Sequence, residues 1–272
     1  MMNLFGYHST VTPTLALPQG AAAPRPAPAP ATPTPEAGAR APASNDAGER
    51  CYDFDIHQGD CTLLLPQYPD HSFDLAVTDP PYIVGYRDRG GRSLLNDDND
   101  KWLEPAFREI FRVLARDAFC VSFYGWNQTD RFFAAWKAAG FRIAGHFTFP
   151  KRYSSSVRLV RYQHESAYLL VKGQPEPANV IGDVIDWGAH TGNKLHPTQK
   201  PLSILLPLVQ AFSKPGARVL DPFMGSGSTL AAGMMCGRQC TGFELDKGNF
   251  EIAKKRLMRM AQVHSHLVDD VS

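Results

Sequence analysis

From residue 52 onward the apolar positions alternate between two periods. Short runs at 52–58, 73–78, 118–124, 218–220 and 239–244 are apolar on both sides or alternate, as strands do. Between them apolar residues recur every three or four positions. In 102–114 these are Trp102, Ala106, Ile110, Val113 and Leu114, and the same spacing predicts helices at 128–139, 201–212, 228–235 and 247–262. Gly140 closes the second of these, and Pro201 opens the third. Segments 141–149 and 165–171 read as a late antiparallel pair of strands. Strands alternating with helices predict an α/β domain whose mostly parallel sheet is covered on both faces.

Residues 20–44, GAAAPRPAPAPATPTPEAGARAPAS, break this pattern. Such a segment buries too little apolar surface to offset its ordering entropy, so it is expected to be disordered and partly polyproline II. The domain plan is therefore a disordered Ala/Pro-rich tail over 1–49, one folded domain over 50–264 and a flexible C-terminus over 265–272. With 43% hydrophobic and 20% charged residues, the folded part has the composition of a globular protein. A net charge of +1 neither suggests nor excludes a nucleic-acid partner. The five cysteines lack zinc spacing, so reduced thiols and no metal are expected. There is no signal-peptide pattern and no apolar run near the ~20 residues of a membrane span, which points to a cytoplasmic protein with no membrane partner.

Two stretches carry candidate chemistry. In ARVLDPFMGSGSTLAAG, residues 217–233, a strand runs into a Gly-rich turn and then a helix. Gly225 and Gly227 allow a sharp turn with close ligand approach, and the helix N-terminus favours a polar or anionic group. Downstream, CTGFELD places Glu244 at a strand end, where α/β nucleotide-binding folds set an acid on ribose hydroxyls; a solvated acid fits that spacing equally well. The second stretch is SFDLAVTDPPYIVGY, residues 72–86, whose apolar run ends in Asp79-Pro80-Pro81-Tyr82. Two prolines stop a strand and hold the main chain extended. The Asp79 carboxylate and the Pro80 carbonyl are placed to accept both hydrogens of one exocyclic amino group, which frees its lone pair. Tyr82 is placed to stack on the ring that bears it.

On these residues the chain resembles the S-adenosylmethionine-dependent DNA amino-methyltransferases that modify adenine N6 or cytosine N4. With DPPY first and DPFMGSGST later, it is similar to their permuted beta class, and the resemblance runs through residues 52–258. It implies a class I Rossmann-like methyltransferase fold, circularly permuted, with S-adenosyl-L-methionine as cofactor. It also implies double-stranded DNA as partner, a homodimer by analogy and a nucleoid-associated location. Asp79, Pro80, Pro81 and Tyr82 match the catalytic motif. The cofactor set it implies is Asp60 and Cys61 before the DPPY strand, Asp79 itself, and His196, Thr198, Lys200 and Pro201 of the hexapeptide HPTQKP. Asp221, Pro222, Phe223, Gly225, Ser226, Gly227, Ser228 and Thr229 of the turn follow, then Glu244 and Leu245. Gln199 departs from the family's usual Glu. The glycines lack the full GxGxxG spacing of a dinucleotide site.

An adenine N6 enzyme is expected, because cytosine-specific relatives more often carry Ser where Asp79 stands. A cytosine N4 enzyme, or a nucleic-acid-binding protein with an inactive core, are the alternatives. The target base must leave the duplex to be reached. In KRYSSSVRLVRY, residues 151–162, Lys151, Arg152, Arg158 and Arg161 stand without an acid among them and suit phosphate contact. The Gly- and charge-rich loop over 83–101 is expected to close over DNA. Segment 174–195 is expected to help read sequence through Trp187, His190 and Asn193.

Overall fold

The computed structural model describes residues 39–40, 53–85, 95–154, 156–157, 159–188 and 199–269. In chain order the strands are β1 (Ala39–Arg40), β2 (Phe54–Gln58), β3 (Phe73–Thr78), β4 (Leu114–Phe123), β5 (Arg142–Pro150), β6 (Ser156–Val157), β7 (Arg161–Tyr162), β8 (His164–Lys172), β9 (Arg218–Asp221) and β10 (Gln239–Glu244). The helices are α1 (Cys61–Leu64), α2 (Leu103–Val113), α3 (Thr129–Ala139), α4 (Leu202–Phe212), α5 (Ser228–Met235) and α6 (Lys247–Asp269).

The main sheet has the order β1-β2-β10-β9-β3-β4-β8-β5. From β2 to β4 every pairing is parallel. Strands β8 and β5 join antiparallel, as the sequence predicts. Strand β3 is buried almost throughout because both its faces are covered, which is why it reads as an unbroken apolar run. Leu75, Val77 and Val219 pack with Leu205, Leu208 and Val209 of α4, Leu230 of α5 and Ala253 of α6. Ala76, Cys120 and Leu220 face Phe107 and Ile110 of α2 and Phe132 and Trp136 of α3.

Chain connections diverge at the middle of the sheet. From β9 the chain passes through α5 to β10 on one side, and from β3 through α2 to β4 on the other. The C-terminal ends of β9 and β3 therefore flank a topological switch point, where open α/β sheets bind ligands.

Several boundaries differ from expectation. Ala39–Arg40, within the segment assigned to disorder by composition, pairs antiparallel with Asp55 and Ile56, an edge contact carried by backbone groups. The rest of the tail lies outside the described residues. Helix α2 runs directly into β4 without the turn expected before Ala118. Phe73 pairs Leu114 while Leu75 pairs Phe119, so the polar residues Arg116 and Asp117 occupy a bulge. Helix α6 continues to Asp269, past the expected end at Gln262. Helix α3 ends as expected on Gly140, at φ +106°, with Phe141 N–H donating to Trp136 O at 3.0 Å.

The bulge is held by Lys172. Its buried ammonium donates to Phe111 O and Leu114 O, each at 2.6 Å, and lies 4.7 Å from the Phe111 ring centroid. Replacing it with methionine takes the donor from Phe111 O at the helix end, while Leu114 O keeps His71 Nδ1 at 2.9 Å. Lys172→Met is expected to cost about 3 kcal/mol of stability. In thermal denaturation that corresponds to a Tm lower by roughly 6–12 °C.

Candidate active site

Asp221 ends β9, and the chain then turns through Pro222-Phe223-Met224-Gly225-Ser226-Gly227 into α5. Gly227 has φ +75°, and a Cβ there would lie 3.3 Å from Ala253 Cβ. Two contacts dock the turn on the neighbouring strand end: Met224 N–H donates to Phe243 O at 2.9 Å, and Gly225 N–H donates to Glu244 Oε2 at 2.9 Å. The other Glu244 oxygen accepts from Asp246 N–H at 2.7 Å. On the far side Arg256 donates to Ser228 Oγ at 2.9 Å and Ser226 O at 3.2 Å. A third strand end joins them, since Gly59 N–H donates to Glu244 O at 2.9 Å and so places Asp60 beside β10.

Burial raises both acids of this floor. The Glu244 carboxyl is pushed up to about 7 by desolvation, against backbone N–H donors from Asp246 and Gly225. Asp221 is also pushed up to about 7 by desolvation, with the Thr229 hydroxyl and Phe223 N–H opposing and the Asp79 charge adding. Asp60 spends Oδ1 on capping α1, accepting from Thr62 N–H at 2.8 Å and the Thr62 hydroxyl at 2.7 Å. The Cys61 side chain is buried in the core, where burial pushes the thiol up, so a ligand there would meet its backbone.

One strand away, Asp79 follows the last residue of β3. Its Oδ1 accepts from the Tyr82 hydroxyl at 2.7 Å, and its Oδ2 from Lys200 Nζ at 2.5 Å. Lys200 Nζ lies 3.2 Å from the Tyr82 hydroxyl and 3.1 Å from Glu165 Oε2, over the Phe123 ring. Desolvation raises Asp79, opposed by the Lys200 ammonium. Lys200 belongs to the hexapeptide expected at the cofactor, and the structure seats its ammonium on the Asp79 carboxylate. Its charge is drawn there by two acids that have few other cations in reach. His196 and Thr198 of that hexapeptide lie outside the described residues.

Sequence reasoning passed over three supports. Gly125 follows β4, and a Cβ there would sit 2.8 Å from Tyr82 O and 2.9 Å from Tyr82 Cβ. Gly125→Ala is therefore expected to displace the DPPY segment and, on the activity that the resemblance implies, to slow single-turnover methyl transfer about 100-fold, with cofactor affinity kept in a direct titration. Ile83, directly after Tyr82, has φ +60°, a strained conformation for a β-branched residue. Buried Asp97 holds it, with Ile83 N–H donating to Asp97 Oδ1 at 2.8 Å and Gly85 N–H to Asp97 O at 2.9 Å. The third support is Lys151 bound to Glu165, Nζ to Oε1 at 2.5 Å. A lone Gly, an Asp in a charged loop and a Lys in a basic run give no pattern to find them by.

Lys151 also corrects an expectation. It is 8% exposed, turned inward onto Glu165 and 4.7 Å from the Trp187 ring centroid, so it does not face phosphates. Trp187 is likewise buried, because 183–187 lies along the outer edge of β5, with Thr148 N–H donating to Asp183 O and Trp187 N–H to Pro150 O. Arg158, His190 and Asn193 lie outside the described residues, as do 86–94 of the expected covering loop. Exposed near the site are Arg161, Arg152 (3.1 Å from Asp186) and Trp126, 65% exposed and stacked on Tyr162 at 5.7 Å. Leu159 and Val160, between β6 and β7, are also exposed.

Comparison with known proteins gives consistent matches. The sequence profile of the N6/N4 DNA methylase family matches residues 73–187 and 182–255. YubD of Escherichia coli K12, provisionally described as a methylase, is 49% identical over 201 residues, covering 74% of this chain and 88% of that protein. Among solved structures, the M1.HpyAVI–SAM complex superposes with a TM-score of 0.62 at 23% identity, covering 75% of this chain and 98% of that one. The cytosine-N4-specific PvuII DNA methyltransferase gives a TM-score of 0.61 at 16% identity, covering 80% and 96%. These two likenesses concern the fold.

Proposed function

The chain belongs to the N6/N4 DNA methylase family, and from that premise we propose that it is a DNA adenine N6-methyltransferase using S-adenosylmethionine. The observation that carries this reading is the Asp79 carboxylate, fixed at the end of β3 beside the Gly-rich turn that ends β9. The turn fits the cofactor. Around Gly225, at φ +51°, the space a Cβ would enter is open, the N-terminus of α5 opens beside it, and Glu244 and Asp60 stand on the next two strand ends. Glu244 would hold the ribose hydroxyls and Asp60 the adenine. When bound, S-adenosylmethionine supplies an electrophilic methyl group to the target's amino nitrogen.

The protein's own part is orientation. Asp79 and the Pro80 carbonyl accept the two amino hydrogens, so the nitrogen lone pair leaves the ring's conjugation. The Tyr82 ring stacks on the flipped base while its hydroxyl steadies Asp79. Burial keeps Asp79 above the ordinary carboxylate range, which suits it to take the proton shed by the nitrogen after methylation. Arg152 and Arg161 are the phosphate-facing cations of this reading, and Trp126 with Tyr162 offers an aromatic face to bases beside the target. We read the chain order, with β2 and the DPPY strand before the Gly-rich turn, as the permuted arrangement of the beta class.

Asp79 favours adenine. A cytosine N4 enzyme is the second reading, supported by the likeness to the PvuII enzyme. Transfer of labelled methyl to unmethylated bacterial DNA, followed by mass identification of the nucleosides, tests both. Label in N6-methyladenosine is expected; label in N4-methylcytosine alone replaces the base assignment, and no label in DNA overturns the reading.

A further inference from the structure

From Asp79 inward four charged side chains, Asp79 included, alternate in sign. Lys200 Nζ lies between Asp79 Oδ2 at 2.5 Å and Glu165 Oε2 at 3.1 Å, and Glu165 Oε1 is clamped by Lys151 Nζ at 2.5 Å. The two lysine side chains are 6% and 5% exposed. The two contacts of Lys200 are not equivalent. That to Asp79 is a formed hydrogen bond, whereas Glu165 Oε2 is buried with no aligned donor. Lys200 thus bridges the two carboxylates, hydrogen-bonded to Asp79 and ion-paired with Glu165. Each Asp79 oxygen already accepts one hydrogen bond, Oδ1 from Tyr82 and Oδ2 from Lys200, so an incoming amino group competes with the Lys200 ammonium for this carboxylate.

We propose that Glu165 is a positioning residue that receives the Lys200 ammonium when the target's amino group takes its place on Asp79. This rests on the reading of Asp79 as the amino-group acceptor. A short shift moves Lys200 from one carboxylate to the other without stranding a buried charge, which would be costly. Lys151 fixes Glu165 as the receiving seat, and Trp187 and Tyr153 cover Lys151 in turn. The groups facing Lys200 are Asp79 and Tyr82 after β3, the Phe123 ring of β4 and Glu165 of β8; Asp221 of β9 acts on Asp79 electrostatically. Glu165 faces Lys200, Lys151 and Tyr153.

The test is single-turnover methyl transfer by the full chain, with cofactor affinity measured alongside. In Glu165→Gln the ammonium keeps Asp79 as its only anion. Transfer is expected to fall about 100-fold. Cofactor affinity stays unchanged. Glu165→Asp retains the charge and the wild-type rate. Because Glu165 acts through Lys200, Glu165→Gln adds no loss in a Lys200→Met background. Should Glu165→Gln not fold, Lys151→Met reads the same dependence: its effect likewise disappears with Lys200→Met. An unimpaired Glu165→Gln, or losses that multiply in the double variant, overturns the proposal. An inactive wild-type chain overturns the functional reading itself, whereas an active one with multiplying losses overturns this inference alone.

Discussion

Asp79→Ala is expected to reduce methyl transfer by more than about 10³-fold, the scale on which a preorganised polar contact to reacting atoms is lost. S-adenosylmethionine binding should persist, because the turn that would hold the cofactor is fixed by Glu244, Phe243 and Arg256 and not by Asp79. The fold should persist as well: Lys200 retains Glu165 at 3.1 Å, so no cation is left unpaired. Asp79→Asn preserves shape but supplies only one acceptor oxygen and cannot take the departing proton, and it is expected to be nearly as impaired. Rapid-quench single turnovers with labelled cofactor, paired with isothermal titration, separate the two quantities. A variant that loses cofactor binding and transfer together would remove Asp79 from its assigned role.

Glu244→Ala should show the opposite split. Its carboxylate binds both the Gly-rich turn and the residue before α6, through Gly225 N–H and Asp246 N–H. Removing it takes away the proposed ribose acceptor and releases the turn, so cofactor affinity is expected to fall about 100-fold, near 3 kcal/mol. Transfer at saturating cofactor should change far less. The same residue predicts a pH dependence. Its carboxyl is raised to about 7 in the folded chain, so folding favours the protonated form. That contribution to stability is fully present below the ordinary carboxylate range and is lost as pH rises through about 7. Ribose hydroxyls donate best to the ionised form, so cofactor affinity should rise over the same window. Glu244→Gln should flatten both curves in thermal unfolding and in titration; an unchanged slope would assign them to Asp221 instead.

Much of this was legible in the sequence because it was local. Asp79-Pro80-Pro81-Tyr82 and Asp221 to Thr229 are each contiguous, and the strand before each is marked by its own apolar run. The antiparallel β5–β8 pair and the Gly140 cap were readable for the same reason. What was not legible depends on contacts distant in sequence. Lys200 meets Asp79 across 121 positions, and Lys172 meets Leu114 across 58. Lys151 sits among arginines and hydroxyls that suit phosphate, and nothing in KRYSSSVRLVRY shows that its side chain turns under Trp187 toward Glu165. Gly125 is a single glycine whose reason is a backbone carbonyl in another segment. Composition sets the Ala/Pro-rich tail apart from the rest of the chain, yet it could not show that Ala39–Arg40 pairs with β2.

The Asp97 clasp bears on how stability and site geometry are shared at this point. By tying Ile83 and Gly85 to one buried side chain and its carbonyl, it holds a β-branched residue at φ +60° directly after Tyr82. Such strain persists only where the surroundings over-determine it. A substitution that let Ile83 relax would gain local stability at the expense of where the Tyr82 ring is held, so a stabilised variant of this segment is the one in which ring placement is lost first.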